Sequence, residues 1–307
     1  MHKSLLLPLV FLAGCTSHAI TSKTLSDAEI ADIQSRVEVR YPELSTEKTQ
    51  AVTELVVRAL DNMVSIKGGT FMMGEFKIPC EPGSEQMCYS DFHSDNDYAH
   101  KVTLDDYGIS KYETIIRDFD LFRELKGRVP YGNKIRDIES RQYLFVPDKP
   151  AWTKNWSEPK EYCTWIGELS GKKIDLPTEA QWEFAARNRG KNILYPTDNG
   201  EVDLGRNYRK DGEGDRNQEV GHFPPNPLGI YDLMGNAAEW VNDVYDPNYY
   251  KNSPVLNPSG PKEGDEHVTR GGTNANNFEF NTTMRRGHEA TLEYYSDLFG
   301  FRCAYNY

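Results

Sequence analysis

The residues of this chain that could do chemistry are five cysteines, a scatter of histidines, and dense groups of Asp, Asn and Glu. A thiolate can act as a nucleophile, a soft-metal ligand or half of a disulfide. Cys80 and Cys88 bracket a short polar stretch within residues 77–99, which suits either a loop disulfide or a thiol site for metal or redox work. After the first residues the histidines are His18, His93, His100, His222, His267 and His288. No two of them stand four apart, so no helical metal site is expected. No Ser-His-Asp order stands out, and Gly212-Glu213-Gly214-Asp215 is too acidic to cradle a phosphate. Gly235-Asn236 reads as a turn that exposes carbonyls close to the Glu239 carboxylate. Carbonyl and carboxylate oxygens together suit a hard cation such as Ca²⁺.

The elements that must position these groups are short. Gly and Pro total 24 + 17 = 41, which favours many turns. Aromatics at 12% place the chain among folded proteins, although its hydrophobic share is only 38%. The net charge of 35 − 47 = −12 argues against a nucleic-acid partner, because phosphate binding needs clustered Lys and Arg. Ser26-Asp27-Ala28-Glu29 is a capping box, followed by Ile30, Ile33 and Val37 at helical spacing. A second helix starts near Ser45 and carries Val52, Leu55, Val56 and Leu60. The two predict a helical hairpin over 25–62, either packed on the main domain or offered to a partner. Met63 to Ile66 reads as a strand and Gly68-Gly69 as a turn. Further helical patches fall at Thr114–Leu125, Ser157–Ser170 and Thr178–Asn188. Residues 63–307 show no linker-like break and are read as one domain.

The N-terminus sets the expected compartment. Lys3 precedes the apolar run Leu5 to Ala13, too short to span a bilayer, which is the plan of a secretory signal peptide. Leu12-Ala13-Gly14-Cys15 resembles the lipobox of bacterial lipoproteins. The resemblance implies removal of residues 1–14 and acylation of Cys15, leaving 15–24 as a tether and a mature charge of 34 − 47 = −13. Thr16 rather than Asp after the cysteine favours, by the same resemblance, an outer-membrane lipoprotein on the periplasmic face. Four cysteines then remain, and an even count in an exported chain predicts disulfides.

Six ordered blocks carry a second resemblance: Met63 to Gly74, Leu176-Pro177-Thr178-Glu179-Ala180-Gln181-Trp182 to Arg187, Phe223 to Asn226, Gly229 to Trp240, Arg270-Gly271-Gly272-Thr273, and Gly300-Phe301-Arg302. They resemble the formylglycine-generating enzyme family, the sulfatase-modifying-factor domain. The implied fold is α+β and C-type-lectin-like, with little regular secondary structure. The resemblance implies a Cys163–Cys303 disulfide closing about 140 residues. It implies a calcium on Glu239 with the Met234, Gly235 and Ala237 carbonyls. A second calcium would fall on Asn207, the Tyr208 carbonyl, Asp211 and the Glu213 carbonyl, with spacing that departs from the family by about one residue.

The sequence also departs from the enzymes. Their two catalytic cysteines bind copper as thiolates just after the Arg-Gly-Gly block; here those positions hold Asn276 and Asn281. An amide neither binds Cu(I) as a thiolate nor exchanges disulfides. No copper is therefore expected, nor formylglycine generation by that route. The leading expectation is a non-catalytic lipoprotein that binds an envelope protein or peptide-like ligand through a groove lined by Thr273, Asn274, Asn276, Phe278, Asn281 and His288. The alternative is a periplasmic non-haem-iron-type oxidase maturing a secreted metabolite or protein, with Glu279, Arg285 and His288 for acid–base work.

Overall fold

The computed structural model describes residues 19–79, 83–89, 95–210, 217–275, 277–293 and 295–307. Cys15, Cys80, Asp211, Glu213 and Asn276 lie outside the described residues.

Helix α1 (Asp27–Arg40) opens on the expected capping box, with Ser26 and Glu29 bonding each other's backbone N–H. Ser45 caps α2 (Thr46–Asp61). Ile30, Ile33, Val37, Val52, Leu55 and Val56 point inward and share a core with Phe119, Phe122, Trp165 and Ile166. Trp165 Nε1 donates to Tyr41 Oη at 2.8 Å, and Arg58 pairs with Asp118 at 2.6 Å. The hairpin is thus packed on the main domain, and residue 62 marks no break in the core. Part of the expected 15–24 tether is also fastened: Ser22 and Thr24 hydroxyls both donate to Asp61.

Four strands form the first sheet in the order β1 (Met63–Ile66), β6 (Tyr107–Ser110), β12 (Ala304–Asn306) and β7 (Ile174–Asp175). Outside it, β2 (Gly69–Met73) pairs β5 (His100–Leu104), so Gly69, read as part of a turn, begins a strand. Strands β3 (Lys77–Pro79) and β4 (Met87–Tyr89) form a hairpin where only polar loop was expected. Cys88 stands in β4; its expected pairing with Cys80 lies outside the described residues. The second four-stranded sheet runs β10 (Gly287–Glu289), β9 (His267–Arg270), β8 (Ala238–Val244) and β11 (Phe299–Phe301), with β11 parallel to β8.

Helices α3 (Ile116–Leu125) and α4 (Ser157–Ser170) complete the core shared with the hairpin. The Cys163–Cys303 disulfide ties α4 to the end of the chain, with Cα atoms 5.5 Å apart. Helix α5 (Glu179–Ala186) starts at the Thr178 capping box and is buried at every residue. A short α6 (Tyr249–Asn252) follows β8. Residues 196–229 hold no helix or long strand among those described. Among the described residues no helix is long and apolar enough to cross a membrane.

Candidate functional site

The turn before β8 organises the site. Asp232, Gly235 and Asn236 all take positive φ (58°, 73° and 59°), so the chain folds tightly enough to aim successive backbone groups inward. Asn236 is the hub. Its Nδ2 donates to Glu113 at 2.6 Å, its Oδ1 accepts from Gln218 N at 2.9 Å, and its own N–H donates to Asn274 Oδ1 at 2.9 Å. Ala237 N–H donates to the other Glu113 oxygen at 3.1 Å. Burial, reinforced by the charges of Asp232 and Glu239, pushes the Glu113 carboxyl well above the usual carboxylate range. Burial also pushes Asp232 up to about 6.

The expected groove residues adjoin this hub. Thr273, Asn274 and Asn281 are all buried, Asn281 completely. Asn281 Nδ2 donates to Tyr208 Oη and to the Thr273 carbonyl, both at 3.0 Å. A Cβ on Gly272 would stand 1.9 Å from Asn281 Oδ1, and Gly272 has φ +68°, so only glycine fits against this amide. Half-buried Phe278 packs near Tyr208 and Tyr195, with centroids 6.3 Å apart in each case. Asn281 is therefore an amide locked into a buried network, and it supplies no thiol, acid or base.

His288 is not part of this groove, contrary to expectation. It is an exposed residue of β10, stacked on Tyr245 at 3.8 Å and paired with Glu266 at 3.0 Å. Period-two alternation along β10 turns it away from Gly287, whose position packs on Thr269. Glu279 instead accepts from Asn277, and Arg285 bonds the Phe280 carbonyl. The partners described for these three side chains differ.

The expected calcium ligands are placed as follows. Glu239 is fully buried, and both its oxygens accept from Arg302 at 2.6 Å; Trp182 Nε1 adds a third bond at 3.0 Å. Arg302 loses solvation by burial, yet Glu239 holds its pKa above the ordinary arginine value. With the carboxylate neutralised by a guanidinium, Met234, Gly235 and Ala237 offer only neutral carbonyls, a donor set that does not fit Ca²⁺. At the second position, Asn207 Oδ1 accepts from Asp203 N, and the Tyr208 carbonyl accepts from Gly205 N. The remaining expected ligands, Asp211 and Glu213, lie outside the described residues.

A second buried charge network escaped the sequence reading. Arg270 donates to Glu179 and Glu183, Arg286 to Glu179, and Arg187 to Glu183. Burial opposes ionisation of Glu179, but Arg286 and Arg270 hold its pKa below the usual value. Asp243, which accepts from Glu179 N, is pushed up to about 8 by burial and by the Glu179 charge. The available signal is charge inside apolar surroundings, Glu183 between Trp182 and Phe184, since such a residue is buried only when paired.

Two four-stranded sheets, an embedded α5, and the Glu239–Arg302 and Asn236 clusters frame the site. The chain belongs to the sulfatase-modifying factor enzyme 1-like domain family, whose profile matches residues 48–307. That match begins inside α2, consistent with the shared core. The bovine formylglycine-generating enzyme is 30% identical over 175 residues, which is 52% of this chain and 45% of the enzyme. The mouse inactive C-alpha-formylglycine-generating enzyme 2 is 33% identical over 171 residues, 50% of this chain and 48% of that protein. The matched region therefore spans under half the length of either relative. The structure of PvdO from Pseudomonas aeruginosa superposes with a TM-score of 0.63 at 23% identity, over 80% of this chain and 94% of PvdO, a likeness of fold.

Proposed function

We propose that this chain is a non-catalytic binding component of an envelope assembly. Acylated Cys15 would hold it at the periplasmic face of the outer membrane. Its formylglycine-generating-enzyme-like domain would engage a protein segment of that assembly. The observation that carries this reading is Asn281, an amide fixed between Tyr208 and Thr273 where the enzymes need a thiolate. Cys163 and Cys303 are joined to each other. A family that includes an inactive relative is compatible with loss of chemistry.

The test is affinity purification of the tagged full chain from membranes under mild detergent, with cross-linking in cells beforehand. A reproducible envelope partner is expected, and its capture should weaken when Phe278 is replaced by Asp. Recovery of a clean monomer after cross-linking would sink the proposal.

A further inference from the structure

A concavity opens between the turn after β5, residues 257–259 and the end of β12. It measures about 340 Å³, at the small end of ligand sites. Its composition restricts what it can take. Leu104 and Pro258 are its apolar lining residues, too few for an aliphatic ligand. No Lys, Arg or His is among the described residues that line it, and the cations that bond its walls, Lys67 and Lys160, already pair with Asp106 and Asp175, so phosphates and carboxylates gain little counter-charge. The walls are side-chain amides, carboxylates and hydroxyls.

These groups are held in place before any ligand arrives. Asn257 and Asp105 bond each other twice: Asn257 Nδ2 donates to Asp105 Oδ2 at 2.7 Å, and Asp105 N donates to Asn257 Oδ1 at 3.0 Å. Asn306 Oδ1 accepts from Gln181 Nε2 at 2.8 Å, and Asn242 Oδ1 accepts from Lys160 Nζ at 2.7 Å. Each bond fixes an amide plane by its oxygen, and among the described residues no partner is recorded for the Nδ2 donors of Asn242 and Asn306. Asp105 Oδ1 supplies an acceptor. Tyr307 is 58% exposed, and its hydroxyl is anchored on Ser65 at 2.8 Å, so its ring makes a fixed platform. A metal ion is poorly served here: Asp106 gives both oxygens to Lys67 and Gly68, and Asp105 gives one to Asn257.

We propose that this cleft binds a neutral saccharide. Fixed amide and carboxylate groups match vicinal hydroxyls, and the Tyr307 ring matches the C–H face of a sugar. Pre-organisation limits the entropy lost on binding. The chemistry is the same whether the sugar is a free hexose or a unit of a wall glycan.

The test uses the purified full chain in detergent, titrated calorimetrically with glucose, N-acetylglucosamine and glucuronate, and sedimented with isolated peptidoglycan. Saturable binding of either neutral sugar supports the proposal with a free ligand, and co-sedimentation alone supports it with a wall glycan. Losing one of the expected hydrogen bonds in Asn306→Ala or Asn242→Ala should weaken binding about tenfold. Both positions are outside the buried cores, and an unchanged Tm would confirm intact folding. Glucuronate should bind more weakly than glucose, because Asp105 and Asp106 repel it. Absence of binding in every arm overturns the proposal. So does binding that both variants retain in full, or displacement of the sugar by calcium.

Discussion

Removing the guanidinium from the Glu239–Arg302 pair is the sharpest test of the site's architecture. Arg302→Met substitutes an apolar side chain and removes five bonds: two to Glu239 at 2.6 Å, and one each to the carbonyls of Tyr231 at 2.9 Å, Ser110 at 3.1 Å and Lys111 at 3.4 Å. Glu239 is then a fully buried carboxylate whose remaining hydrogen-bond donor, among the described residues, is Trp182 Nε1. Breaking a buried pair from one side costs about 3–5 kcal/mol. At roughly 2 °C per kcal/mol for a chain of this size, Tm should fall by roughly 6–10 °C. The double variant Glu239→Gln/Arg302→Met should recover part of that loss, because no buried charge is left uncompensated. Thermal unfolding followed by near-ultraviolet circular dichroism reads both effects. The reasoning is refuted if Arg302→Met melts within about 1 °C of the parent. It is equally refuted if saturating calcium restores the variant's Tm, since a cation would then be the true partner of Glu239.

Four further outcomes are expected. Replacing Cys163 and Cys303 together by Ala frees a loop of 140 residues and should lower stability by about 2–5 kcal/mol in urea titrations. Asp243 titrates higher in the folded chain, at about 8, than when unfolded. The folded state therefore binds the extra proton, and its contribution is present below the unfolded value near 4 and lost as pH rises towards 8. Asp243→Asn should flatten that fall, seen as a smaller Tm difference between pH 5 and pH 9. Any calcium-induced rise in Tm should survive Glu239→Gln and vanish in Asp211→Asn. Cys15→Ser should move the protein from the membrane to the soluble fraction; retention in the membrane would count against the lipid anchor.

Local signals in the sequence match the structure where one element decides its own form. The Ser26–Glu29 and Thr178–Gln181 capping boxes satisfy helix-end donors within four residues, so α1 and α5 begin where the side chains dictate. The apolar spacing of Ile30, Ile33 and Val37 likewise set the inward face of α1. Gly69 reads locally as a turn, but it begins strand β2 because its partner there, Leu104 of β5, stands 104 − 69 = 35 positions away. The motif blocks determined the family, and Asn281 marks where the chain departs from the enzymes' cysteine. What they could not contain is the company each charge keeps. Glu239 reads as a metal ligand by spacing, yet folding brings Arg302 against it from 63 residues away. His288 lies close in sequence to the groove, yet strand alternation and the β9 pairing turn it to another face. Sequence determined residue types and local geometry, because those follow from nearby covalent and steric constraints. Tertiary structure decided ionisation, pairing and access, because these depend on which distant groups share a buried, low-dielectric space.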